Sequence, residues 1–296
     1  MFSEKRPYFS VVIPCYNEED YIEKTIRSLK AQNTKVDYEI IVVDNNCVDS
    51  TASIARKLGA KVVVEKEPGI CAARQAGTNA ARGEIVISTD ADTTFSPNWL
   101  DNIYKEFMKS PQIVAVCGPC RFNDSPWWGK VYTHFLFGWS YLFFLVRGSP
   151  VYITATNIAF RKDSWKGYEL SLMQGGDELG LLHQLKREGK VSFGLKNSVY
   201  TSGRRLQRGM LYNIFVTFLF YYMAGYYINS LFGRKIIGAP PAFRKPYKTK
   251  WSAGLSYGTS TLFIAVLIFV INGHNLVSGF VSDTLTDFTS FIGKLF

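Results

Sequence analysis

The sequence predicts an α/β protein: a mostly parallel sheet covered by helices on both faces, followed by helical segments that meet a membrane. Three observations carry that prediction. Short apolar runs alternate with helix-patterned stretches from Phe9 to Val116. The fourth apolar run ends in Asp90-Ala91-Asp92, two carboxylates at the strand edge where open α/β sheets hold their ligands. The positive charge is concentrated among the long apolar segments of the C-terminal third.

The elements follow in order. Phe9 to Ile13 is an apolar strand closed by Pro14, and Glu19 to Gln32 carries Ile22, Ile26 and Leu29 at helical spacing. Glu39 to Val43 is a second buried strand, stopped by Asp44-Asn45-Asn46. Asp49-Ser50-Thr51 supplies cap residues for a helix that Gly59 ends. Lys61 to Val64 is a third strand, and Pro68-Gly69 breaks the chain before an Ala-rich helix from Ile70 to Ala81. Ile85 to Thr89 is the strand that delivers the two aspartates, and Pro97 to Met108 is a helix leading to the strand Ile113 to Val116. Strands this apolar, separated by helices, imply a parallel sheet buried on both faces.

Paired acids at a strand end suit a divalent cation, Mg²⁺ or Mn²⁺, that keeps open positions for a substrate's phosphates. Around them stand Val11-Val12-Ile13-Pro14-Cys15-Tyr16-Asn17-Glu18-Glu19, Ile41-Val42-Val43-Asp44-Asn45-Asn46, Ala73-Arg74-Gln75-Ala76-Gly77 and Thr89-Asp90-Ala91-Asp92. In order and spacing these resemble the signatures of family 2 glycosyltransferases, over roughly residues 8 to 205. The resemblance implies a Rossmann-like GT-A fold, a nucleotide-diphosphate sugar donor, a divalent metal and inversion at the anomeric carbon. Gln75 and Asn45-Asn46-Cys47 depart from the family pattern, which more often has Asn and Asp-Gly-Ser there; the second departure bears on donor choice.

The resemblance also distributes roles. Pro14 and Tyr16 wall the base pocket, Glu18 reaches the ribose, and Asp44 accepts from the base or ribose. Asp90 and Asp92 hold the metal, with Asp90 and Ala91 also against the donor, and Arg74 is a positive partner for phosphate. Asp177 and Glu178 precede a predicted helix, Leu179 to Arg187, where the family carries a general base; which of the two is the base stays open. Asn157, in Thr154-Ala155-Thr156-Asn157, is an acceptor-contact candidate. Arg204 and Arg205 resemble a basic segment that closes over the diphosphate; flanking a membrane surface is the equal alternative.

The formal charge is +10, yet from Gly189 to Ser282 there are eleven Lys or Arg and no acid, so the rest nets to about −1. Basic residues set among apolar segments fit an anionic membrane surface better than nucleic acid. Trp251 to Gly273 is uncharged and long enough to span a bilayer. Gly209 to Gly233 is uncharged and aromatic. Were it to span, the basic loop Arg234 to Lys250 would lie opposite the catalytic domain, against the positive-inside rule. One span is therefore expected, with a two-span hairpin as the alternative. Trp127 to Val146 is either plain core or an amphipathic ramp beside the acceptor site.

The expected organisation is a catalytic domain over 1–205, an interfacial segment over 206–250, a transmembrane helix over 251–273 and a tail over 274–296, with the catalytic domain on the cytoplasmic side. Residues 1–8 are polar, so no cleavable leader is expected. Five cysteines, an odd number, argue for reduced thiols, and Cys117-Gly118-Pro119-Cys120 lacks a second pair to complete a zinc site. No G-x-G-x-x-G follows the first strand, which excludes a dinucleotide dehydrogenase. Three functions remain: sugar transfer to a lipid-linked or cell-envelope glycan hydroxyl, transfer to a polyprenyl phosphate, and a catalytically silent nucleotide-sugar scaffold.

Overall fold

The computed structural model describes residues 6–170, 176–234 and 236–238. Strands β1 (Phe9–Cys15), β2 (Tyr38–Asp44), β3 (Lys61–Val64), β4 (Ile85–Ser88), β6 (Ile113–Cys117), β8 (Ile158–Arg161) and β9 (Lys190–Phe193) form one seven-stranded sheet, in the order β3-β2-β1-β4-β8-β6-β9. Every pairing in it is parallel except the two made by β8, which runs antiparallel between β4 and β6. A small second sheet joins β5 (Thr94–Phe95), β10 (Val199–Thr201) and β7 (Cys120–Phe122) in the order β5-β10-β7.

Every residue of β1 is buried, as expected of a central strand covered on both faces. Helix α1 (Glu19–Lys30) turns Ile22, Ile26 and Leu29 inward, and each is fully buried; burial of one such side chain is worth roughly 1.5–3 kcal/mol. Helices α2 (Thr51–Lys57), α3 (Ile70–Ala80) and α4 (Trp99–Phe107) fall within a residue or two of their predicted bounds.

Gly77 explains how α3 sits. A Cβ there would collide with Val12 and Val43, so the helix lies directly on the sheet. One turn earlier on the same face, Arg74 reaches the end of β4. The entry to α3 needs Gly69, whose φ of 139° is open to glycine alone. Asn45 staples this loop: its amide donates to the Glu65 and Glu67 carbonyls at 2.9 and 2.7 Å and its oxygen accepts the Gly69 N–H at 3.0 Å.

The aromatic segment Trp127–Arg147 is a single helix, α5. Trp128, Thr133, Phe137 and Ser140 face the protein, whereas Trp127, Val131, Leu142, Leu145 and Val146 are exposed. It is thus partly core and partly an apolar surface. A wide-turned π-helical stretch, Gly176–Gly180, leads into α6 (Leu181–Glu188), which starts two residues later than predicted. A second π-helical stretch, Tyr212–Ala224, continues into α7 (Gly225–Phe232). Among the described residues no helix is long and apolar enough to cross a membrane. The predicted span Trp251 to Gly273 lies outside the described residues. All five cysteines are free thiols, and Cys117 and Cys120 are buried in the core.

Candidate active site

The site gathers at the C-terminal ends of β1, β2 and β4, the edge where a parallel sheet leaves its loops free to hold ligands. Asp90 and Asp92 follow β4 immediately, Glu18 follows β1, and Asp44 ends β2. The chain then brings in partners from far away. Thr156, from the loop before β8, donates its hydroxyl to Asp90 Oδ2 at 2.6 Å. Thr201, at the end of β10, donates to Asp92 Oδ1 at 2.8 Å.

Arg74 is 2% exposed and fully engaged. Its Nη2 donates to Asp90 Oδ1 at 2.7 Å, its Nε to Asp177 Oδ2 at 3.1 Å, and its Nη1 to the Ser88 hydroxyl and the Thr89 carbonyl. This corrects the expectation of a phosphate ligand, because a buried guanidinium with all its edges occupied offers nothing to a diphosphate. It instead bridges the strand-end aspartate to an acidic pair 103 residues along the chain. Burial opposes charge on both partners. The ion pairs outweigh it, raising the Arg74 pKa and, together with the Thr156 hydroxyl, holding Asp90 below the usual carboxylate range.

Arg204 lies in the 3₁₀ turn Arg204–Arg208 and is also buried. It forks onto both Glu18 oxygens at 2.8 and 2.9 Å, approaches Asp92 Oδ2 at 3.1 Å, and stacks over the Tyr21 ring at 4.6 Å. The buried arginine of this segment thus holds carboxylates from the β1 and β4 ends. Glu18, expected at a ribose, spends both oxygens on this fork. Arg205 is exposed, near enough to Asp90 to lower its pKa. Ser202 and Gly203 hang from Asp124 by hydrogen bonds, and Gly203 packs so closely on Ser125 that a Cβ would sit 2.9 Å from its Cα. The turn is therefore anchored on the start of α5.

The acidic pair divides cleanly. Asp177 is buried against Arg74, whereas Glu178 has no cationic partner within hydrogen-bonding reach among the described residues. Glu178 Oε1 accepts from the Ala155 N–H at 3.3 Å and the Tyr152 hydroxyl at 3.5 Å, and Oε2 has no hydrogen bond among the described residues. Burial first and the Asp177 charge second push its pKa up to about 8. Burial likewise raises Asp92, to about 6; Arg204 works against it, and Asp90 and Glu18 add to it.

The other predicted residues have clear places. Tyr16 is 48% exposed at the rim, while Pro14 is buried inside β1 opposite Val43. Ala91 is buried, and its carbonyl accepts the Thr25 hydroxyl at 2.6 Å. Asn157 requires a correction. It is 2% exposed, donates to the Pro119 and Asn197 carbonyls, and accepts from the Trp99 indole. Its amide holds the fold together and does not face an acceptor. Thr201 and Tyr21 carry no sequence signal of their own, since threonines and tyrosines of this kind recur throughout the chain.

No group of three His, Cys, Asp or Glu side chains gathers to hold a metal among the described residues. The chemistry still fits a divalent cation completed by diphosphate and water oxygens. Five carboxylates (Glu18, Asp90, Asp92, Asp177 and Glu178) act on one another here, against the two buried guanidinium groups of Arg74 and Arg204. Burial is the first cause of the raised Asp92 pKa, and the charges of Asp90 and Glu18 add to it.

Comparison with known proteins agrees with this fold. The profile described as Glycosyl transferase family 2 matches residues 10–168. An uncharacterized glycosyltransferase of Mycobacterium bovis is 38% identical over 106 residues, covering 36% of this chain and 46% of that protein. Chondroitin synthase of Escherichia coli is 31% identical over 198 residues, covering 63% of this chain and 28% of the synthase. The chain thus spans under half the length of either relative. Among solved structures, a mannosyltransferase from Pyrobaculum calidifontis, in complex with GDP-Man and Mn²⁺, superposes with a TM-score of 0.52 at 21% identity, covering 67% of this chain and 58% of that one. The α/β core is therefore the GT-A-like fold expected, and a profile match over more than half of the sequence places this chain in glycosyl transferase family 2.

Proposed function

We propose that the protein is an inverting, metal-dependent glycosyltransferase that moves a sugar from a nucleotide-diphosphate donor to a hydroxyl of a lipid-linked or cell-envelope glycan. The observation that carries this reading is the Arg74 bridge, which sets the strand-end acids beside the Asp177–Glu178 pair. Asp90 and Asp92 are the residues that would hold Mg²⁺ or Mn²⁺. Such a cation, when bound, neutralises the diphosphate as it leaves.

The chain's own residues then divide the work. Tyr16 and Asp44 receive the nucleoside at the β1 and β2 ends. Arg205, exposed beside Asp90, is the remaining arginine for the phosphates. Glu178 is the base: with Asp177 neutralised by Arg74, its Oε2 is the carboxylate atom left to accept the acceptor hydroxyl's proton as that oxygen attacks. A base poised near neutral pH serves that role, and burial has moved Glu178 to that range. A polyprenyl phosphate is already ionised and needs no such group. The raised carboxyl therefore favours a hydroxyl acceptor.

Membrane attachment is part of the same proposal, with the catalytic domain on the cytoplasmic face. The exposed apolar face of α5 is flanked by Lys130 and Arg147, and the uncharged stretch 209–233 by Arg205, Arg208 and Arg234. No acid lies within either segment, the pattern of a helix that lies on anionic lipid.

Two experiments test these points. Purified protein is incubated with labelled nucleotide sugars and a glycan-lipid acceptor fraction, with and without EDTA. Transfer that EDTA abolishes is expected; transfer from no donor in the panel would leave the scaffold reading. In flotation, the full chain is expected to rise with anionic phosphatidylglycerol vesicles and less with neutral ones. A chain that stays at the bottom with both would remove the membrane from the account.

A further inference from the structure

The departure Asn45-Asn46-Cys47 is left unexplained by the catalytic residues, although Asn45 has its staple role. Cys47 sits where two loops meet. Its backbone N–H donates to Asp44 Oδ1 at 2.9 Å. Its sulfur accepts the Asn17 N–H at 3.3 Å and donates to the Cys15 carbonyl at 3.4 Å. The lacing is reciprocal, because Asn17 Oδ1 accepts the Val48 N–H at 2.8 Å. Asn17 adopts φ 57°, an uncommon left-handed conformation that this double contact holds in place. Cys15 and Asp44 are themselves register partners across β1 and β2. The clasp thus encloses Tyr16 on one side and Asp44 on the other, the two residues read above as the nucleoside pocket. Burial first, with the nearby Asp44 carboxylate contributing, keeps the thiol protonated and able to donate.

We propose that Cys47 is a positioning residue for nucleotide selection: its thiol binds the β1 and β2 loops together while its N–H holds the Asp44 carboxylate, fixing the Tyr16–Asp44 spacing that discriminates between bases. This rests on the donor reading above. Cys47 itself touches no reacting atom. A hydroxyl can make the same two contacts as the thiol, whereas a methyl group makes neither. The Asn17 side of the clasp can be opened independently, since glycine keeps the left-handed backbone and its N–H while removing Oδ1.

Calorimetric titration of UDP, GDP, CDP and dTDP, each with Mn²⁺, into wild type, Cys47→Ser, Cys47→Ala and Asn17→Gly tests the proposal. Wild type is expected to prefer one nucleotide, and Cys47→Ser to keep that preference. Cys47→Ala and Asn17→Gly should bind the preferred nucleotide about tenfold more weakly, the value of one net hydrogen bond, while the others change little. Unchanged preference in Asn17→Gly, or in a folded Cys47→Ala, overturns the proposal, as does equal weakening for all four nucleotides. A wild type that binds none of them overturns the donor reading and the inference with it, whereas binding without preference overturns the inference alone.

Discussion

Arg74→Ala is expected to destabilise the fold by about 3–5 kcal/mol, the cost of leaving the buried Asp177 carboxylate without its cation. Arg74 is 3% exposed at its side chain, and Asp90 and Asp177 would lose their common partner. Urea unfolding followed by circular dichroism checks this. Removing one acid as well separates charge from packing: Arg74→Met with Asp177→Asn should recover part of the loss while transfer stays impaired. Were Arg74→Ala as stable as wild type, the bridge would be no more than a surface contact.

Glu178→Gln is expected to lower kcat by about 10²–10⁴, the usual contribution of a positioned base, with nucleotide affinity unchanged. Only the ionised form accepts a proton, so the wild-type rate should climb with pH toward about 8 and level off above it. The stability effect has the opposite sign. The folded protein holds the Glu178 proton up to about 8, against 4.5 for an ordinary glutamate. The favourable difference is complete below 4.5 and is lost as pH rises through 8. Glu178→Gln should therefore lose less stability than wild type between pH 6 and 9, measured by the same unfolding assay. A Gln variant with a near-normal rate would favour the ionised phosphate acceptor.

Much of this was legible before any coordinates. Five strands of the main sheet, β1, β2, β3, β4 and β6, announce themselves because a parallel sheet buried on both faces must be apolar, and Asp90-x-Asp92 stands out because two acids then end such a run; the short strands β8 and β9 escape that reading. Gly77 was visible as part of a motif, and its physical reason, contact with Val12 and Val43, belongs to packing. What the sequence concealed is pairing across distance. Arg74 reads as a phosphate ligand until Asp90 and Asp177 are seen on its two edges. Glu18 and Arg204 each read as a ligand to the donor, yet they bind one another across 186 positions. Asn157 looked like an acceptor contact because an amide suits either role, and only its three buried partners decide for the fold. The order of Asp177 and Glu178 was equally undecidable, since the arginine that neutralises one of them arrives from α3.

The proposed chemistry requires Asp90 and Asp92 to hold a cation against the donor's diphosphate. The direct measurement is nucleoside-diphosphate affinity as a function of Mn²⁺, in wild type and in Asp92→Asn. The variant keeps an oxygen for Thr201 and leaves Arg204 paired with Glu18, so its fold should stand. Wild type is expected to bind nucleotide more tightly as Mn²⁺ is added, and Asp92→Asn to bind weakly at every Mn²⁺ concentration. Equal Mn²⁺ dependence in both proteins would contradict it.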